Sequence, residues 1–232
     1  MPAPEERQIE LSLSLILVMW AAGLAALAGA VAWWRIVGPG FVWLAGSVAT
    51  ALAVAGAFAS SGWAAWIGVG LAAAGTLMAS RPGVAAILLV AAAAPLVAAA
   101  AVDAGFLSAI AGAAFLGGVT SLMLLGHWYL VDPRLPRWAL FRLDAVAAIA
   151  LVGEVGLLLL DGTLSGDDNL FVVTFVVLSV ATLILLIAVW FALAEPSYPA
   201  VMAATGLGYL AVLTALGVSV VGRAILDPTN PL

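Results

Sequence analysis

Long apolar runs alternate with brief polar or Gly/Pro breaks along the whole chain. A run of about 20 apolar residues is enough to cross a bilayer core as a helix. The spacing predicts eight helices, at about 11–34, 41–59, 63–80, 84–102, 106–129, 138–160, 170–194 and 200–222. The breaks are turn formers: Gly38-Pro39-Gly40, Ser60-Ser61-Gly62, Arg81-Pro82-Gly83, Asp103-Ala104-Gly105 and Glu195-Pro196-Ser197-Tyr198-Pro199. The longest polar stretch, Asp161 to Asn169, is a loop. Pro95 falls inside the fourth run and predicts a kink there, which neighbouring helices in a membrane can accommodate. The fold class is therefore an all-α integral membrane protein: one polytopic domain over residues 1–232, a bundle of about eight helices with short loops.

Composition agrees with the pattern. The chain is 66% hydrophobic and 8% charged, against about 25% charged residues in a soluble domain. A net charge of -5 carried by few groups gives no basic surface for nucleic acid. Glu5, Glu6, Arg7 and Glu10 precede the first run, which does not match the positive start of a secretory signal. There is no cysteine and no lysine. Disulfides, thiolate metal sites, cysteine nucleophiles and Schiff-base chemistry are thereby excluded. The single histidine cannot supply bis-histidine haem ligation within one chain, and no His/Glu cluster has metal-ligand spacing. No cofactor or metal is expected.

Arginine placement predicts orientation. Eight spans put both termini on one face, with Arg7 and Arg223. The opposite face carries Arg35, Arg81, Arg134, Arg137 and Arg142. That face is expected to be cytoplasmic, with both termini periplasmic or extracellular. Its five arginines are candidate contacts for anionic headgroups or a partner subunit. The helix ends Trp33-Trp34-Arg35…Pro39 and Trp128-Tyr129…Pro133-Arg134 face the same side, four spans apart. This allows a four-plus-four parallel repeat, although aromatics and arginines gather at any interface. Ala113-x-x-x-Gly117, Gly112, Gly118, Gly206 and Gly208 suit close helix crossings, whether in ordinary packing, a shaped cavity or a dimer seam.

Ionisable groups within spans are costly, and each is a candidate for function. His127 lies near the end of the fifth helix, next to Trp128 and Tyr129. Asp144 lies six residues beyond Trp138, roughly 9 Å along the sixth helix. The two fall at similar depth on neighbouring helices, so a His127–Asp144 hydrogen bond is within reach, with Arg142 as a competitor for the carboxyl. Such a bond would fix the imidazole tautomer and suit proton exchange with a ligand. The plainer alternative is an interfacial aromatic belt. Glu154 is the deepest charge, with no basic residue expected at its level. It would couple protons, touch a lipophilic ligand, or bond a hydroxyl on the next helix, and Glu154→Gln should be tolerated. Ser121 is six residues from His127, off its helical face, so no Ser-His-Asp set forms.

Three functions fit these residues. One is a non-catalytic subunit or lipophilic-ligand-binding component of a larger membrane assembly, redox-linked in one version. The second is a proton-coupled carrier of a small lipophilic solute, using Glu154 and the His127–Asp144 pair. The third is an intramembrane enzyme acting on a lipid or quinone near His127; Tyr129 joins His127, Asp144 and Glu154 as a ligand or proton-exchange candidate. The expected partners are membrane lipid and either other membrane subunits or further copies of the chain.

Overall fold

The computed structural model describes residues 4–59, 62–161 and 169–226, with side chains from Leu13 onward within those stretches, Asn169 excepted. Ser60, Ser61, Asp167, Asp168, Asp227 and the side chains of Glu5, Glu6, Arg7 and Glu10 lie outside the described residues.

Eight helices follow one another: α1 (Pro4–Trp34), α2 (Pro39–Ala59), α3 (Trp63–Leu77), α4 (Pro82–Ala104), α5 (Phe106–Val131), α6 (Trp138–Leu160), α7 (Asn169–Ala194) and α8 (Tyr198–Leu226). Seven are long and apolar enough to cross a membrane. The exception, α3, has 15 residues and is about 22 Å long at 1.5 Å per residue. Its expected end at residue 80 is instead a turn, because Arg81-Pro82 starts the next helix with proline in the first turn. Several other boundaries move outward. α1 starts at Pro4 and α4 runs on to Ala104, while α8 reaches Leu226 and so encloses Arg223. α4 continues through Pro95. Gly105, at φ 76, makes the tight α4–α5 turn in the left-handed region that glycine enters without strain.

The neighbour relations of the first four helices recur in the last four. α1 packs on α2 and α4, α2 on α3, and α3 on α4; likewise α5 packs on α6 and α8, α6 on α7, and α7 on α8. α1 and α5 join the two halves and are the most buried spans, at 67% and 72%, against 22% for α7. Lipid supplies no hydrophobic drive between helices, so close backbone approach carries the association. At this crossing a Cβ added to Gly117 would fall on the Gly23 backbone, and one added to Gly23 would fall on the Ala113 carbonyl. Trp20 Nε1 donates to Thr120 Oγ1 across the same seam at 2.7 Å. The hydroxyls of Thr50, Thr76, Thr120, Thr182 and Thr205 donate to carbonyls one turn back, which satisfies them without water.

Successive helices alternate in direction. Gly56 of α2 meets Val18 of α1, Gly68 and Gly75 of α3 meet Leu96 and Leu89 of α4, and Gly217 of α8 meets Leu178 of α7. The α1–α2, α3–α4, α5–α6 and α7–α8 turns therefore share one face, the hairpin face. The beginning of α1 and the end of α8 share the other, the terminal face.

Candidate functional site

Helix α6 carries both buried acids. Asp144 is 2% exposed and Glu154 6%. Ten residues separate them, about 15 Å along the axis and about 80° around it. They consequently look at different neighbours.

Glu154 faces α5 and α8. Arg223 Nη2 lies 3.0 Å from its Oε1 and 3.4 Å from its Oε2. The same guanidinium donates to Ser108 Oγ at 2.6 Å and to the Ser108 carbonyl at 3.4 Å, and it lies 3.7 Å from Met19 Sδ. Four helices thus meet at one ion pair: α1, α5, α6 and α8. Gly112 makes the room, since a Cβ there would stand 2.7 Å from Glu154 Oε1, 2.9 Å from Met19 Sδ and 3.2 Å from Arg223 Nη2. The expectation of a lone glutamate is corrected. Arg223 is not a charge beyond the last span but a buried residue of α8, 6% exposed. The apolar continuation Ala224-Ile225-Leu226 is the sequence signal for that placement. Both Nη groups of Arg223 are engaged, and Glu154 and Arg223 are each 6% exposed, so the ion pair is closed off inside the bundle.

Asp144 faces α7. Its expected partners are engaged elsewhere. His127 is exposed, and its Nδ1 lies 3.4 Å from the hydroxyl of Tyr209 on α8. Arg142 stacks its guanidinium 4.5 Å from the Trp138 ring centroid and 5.7 Å from that of Trp34. The His127–Asp144 hydrogen bond does not form, because α5 turns His127 toward α8 while α6 turns Asp144 toward α7. Asp144 Oδ1 is buried without a hydrogen-bond partner among the described residues. The residue Asp144 borders a cavity of about 350 Å³, lined also by Ala145, Ala148, Ile149, Leu186, Ile187 and Trp190. Farther along the same seam, a second cavity of about 300 Å³ holds Ser179, whose Oγ is likewise buried and without a partner among the described residues. Ile149, Ile187 and Trp190 are exposed on the outside of the bundle, so the cleft opens where lipid would lie.

The remaining candidates scatter. Tyr129 is buried and its hydroxyl accepts from Arg137 Nε at 3.5 Å. Arg137, one of the candidates for headgroup or partner contact, binds the α7–α8 turn. It donates to the carbonyls of Leu193 at 3.3 Å, Ser197 at 3.0 Å and Glu195. A turn entering a membrane leaves carbonyls without helical partners, and an arginine fork is suited to collect them. Tyr198 Oη closes the same junction by donating to the Leu130 carbonyl at 3.2 Å. Arg35, Arg81 and Arg134 are exposed on the hairpin face. Residues missed in the sequence are Arg223, Ser108, Met19, Tyr209 and Trp190. Only Arg223 left a signal there. Among the described residues, no group of three or more His, Cys, Asp or Glu could hold a metal ion.

Fold and composition together define the class: this is a multi-pass helical bundle of membrane-protein type. No family model matches the chain, and no curated protein or solved structure is significantly similar to it.

Proposed function

We propose that the protein is a non-catalytic membrane component that binds a lipophilic ligand entering sideways, from lipid, between α6 and α7. One observation carries this reading: a buried carboxyl without a hydrogen-bond partner among the described residues borders an apolar cavity on the outside of the bundle. Leaving a buried polar group unsatisfied costs about 1–3 kcal/mol, and a bound ligand would remove that cost. The volume, about 350 Å³, lies within the usual range of ligand sites, roughly 300–1,000 Å³. The test is photolabelling with a diazirine-bearing lipophile in detergent. Label should concentrate on α6 and α7, and Ala148→Phe, which fills the cavity, should abolish it. Uniform labelling of all exposed helices would overturn the reading.

The exposed faces of α7 belong to the same proposal as the surface that meets membrane lipid or a further membrane subunit. Both termini are proposed to lie outside the cytoplasm. With Arg223 withdrawn into α8, Arg7 alone opposes the five arginines of the hairpin face. A cytoplasmic signal from a reporter fused at Leu232 would reverse this. A second reading, a carrier, is favoured by the matching neighbour relations of the two halves and their narrow glycine crossing. Solute uptake into proteoliposomes distinguishes it from static binding.

A further inference from the structure

We infer that the ligand of the α6–α7 cleft is an amphiphile with an ammonium head, held by Asp144 and the Trp190 ring. The inference rests on the binding role proposed for this cleft and adds the chemistry of the occupant. Three observations favour it. First, Asp144 Oδ1 lacks a hydrogen-bond partner among the described residues, and the two nitrogen-bearing side chains near its level, Arg142 and His127, are turned away. Arg142 lies on Trp138 and Trp34, and His127 lies beside Tyr209. A ligand that brings its own positive charge would pair with the carboxylate form of Asp144, since a buried charge persists only when paired. Second, Trp190 lines the same cavity. Its edge-to-face contact with Phe141, centroids 4.7 Å apart, steadies the ring. A carboxylate beside an aromatic face is a recognition pattern for organic cations. Third, the other lining residues, Ala145, Ala148, Ile149, Leu186 and Ile187, are purely aliphatic. They offer nothing to a second polar group and suit a hydrocarbon body.

Asp144 sits six residues into α6, about 9 Å from the hairpin end of the helix. An ammonium at that depth could belong to a free lipophilic amine or to a lipid headgroup. The two share one chemistry, and the test separates them.

Octyltrimethylammonium and its uncharged carbon isostere, 2,2-dimethyldecane, are titrated into the full chain in dodecyl maltoside, a detergent without ammonium groups. Empty micelles are subtracted. The ammonium compound should bind saturably and at least about tenfold more tightly than the isostere. Asp144→Asn should remove that preference while leaving the isostere unaffected. Trp190→Leu should weaken the ammonium compound alone, by about threefold to tenfold. Competition by phosphatidylethanolamine but not by phosphatidylglycerol would assign the head to a lipid, and indifference to both would assign it to a free amine. Equal binding of the two probes, unchanged in Asp144→Asn, would overturn the ammonium inference and leave the cleft reading standing. Binding of neither probe, together with uniform photolabelling, would sink both.

Discussion

Two acids ten residues apart on one helix meet opposite fates. Glu154 is enclosed by four helices and held by Arg223 and a glycine-sized gap, whereas Asp144 borders an open apolar cleft with nothing to bond. Both are almost fully buried, so depth alone does not separate them. Azimuth does. The face of α6 that carries Glu154 looks into the bundle, where Arg223 and Ser108 converge. The face that carries Asp144 looks at α7, which has the highest mean hydropathy of the spans, 3.0, and supplies only Ser179 and Trp190 as groups with a polar atom along the cleft. A matched buried pair is lost at great cost when one partner goes, while an unmatched buried acid weakens the fold that holds it.

This contrast makes the same chemical change act in opposite directions at the two sites. Glu154→Gln removes the counter-charge from a buried guanidinium and should destabilise the protein by about 3–5 kcal/mol. That reverses the tolerance expected for a lone acid. Replacing both partners, Glu154→Leu with Arg223→Leu, should recover most of the loss. Chemical denaturation in detergent measures both, and a double variant no better than Glu154→Gln would show that the pair is not the clamp described. Gly112→Ala pushes a methyl group to within 2.7 Å of Glu154 Oε1. It should cost about 1–3 kcal/mol through overpacking, whereas Ala148→Leu, facing the cleft, should cost little. Comparable losses from the two would erase the distinction between closed and open sites.

Asp144→Asn is expected to leave ligand-free stability unchanged or to raise it by about 1 kcal/mol, because no partner is lost. A fall of more than about 2 kcal/mol would mean that Asp144 has a structural partner after all. The smallest effect expected is a coupling. His127→Gln and Asp144→Asn should be additive to within about 0.5 kcal/mol in a double-mutant cycle, since they share no contact. A larger interaction energy would restore the pairing that depth alone suggested.

The helices were legible in the sequence because apolar length is a one-dimensional property. Eight runs predict eight helices, and the largest shifts of their ends are at the start of α1, at α3, which Pro82 cuts short, and at the tail Ala224-Ile225-Leu226, which extends α8. The site was less legible because it depends on rotation. The depth of Asp144 and His127 could be counted, but the sequence does not say that α5 turns His127 toward Tyr209 or that α6 turns Asp144 toward α7. Glu154 was singled out correctly as a buried charge. Its partner was missed because Arg223 stands near the end of an apolar run, where arginine ordinarily marks the interface. The turn contacts of Arg137 were not legible for a similar reason: the loop whose carbonyls it collects is 56–60 residues away in the chain. The close approach of α1 and α5 was half visible, since Gly117 was marked for tight packing while Gly23 was lost among many alanines.

The short turn at Gly105 is the one covalent bridge between two sets of helices, each of which already surrounds its own members. A chain severed there would yield two fragments of four helices each. What draws them back together is the glycine crossing of α1 and α5, the Trp20–Thr120 bond, and the contacts of α4 with α5. In that sense the molecule is packed as a heterodimer written as a single polypeptide, held at the joint between the halves.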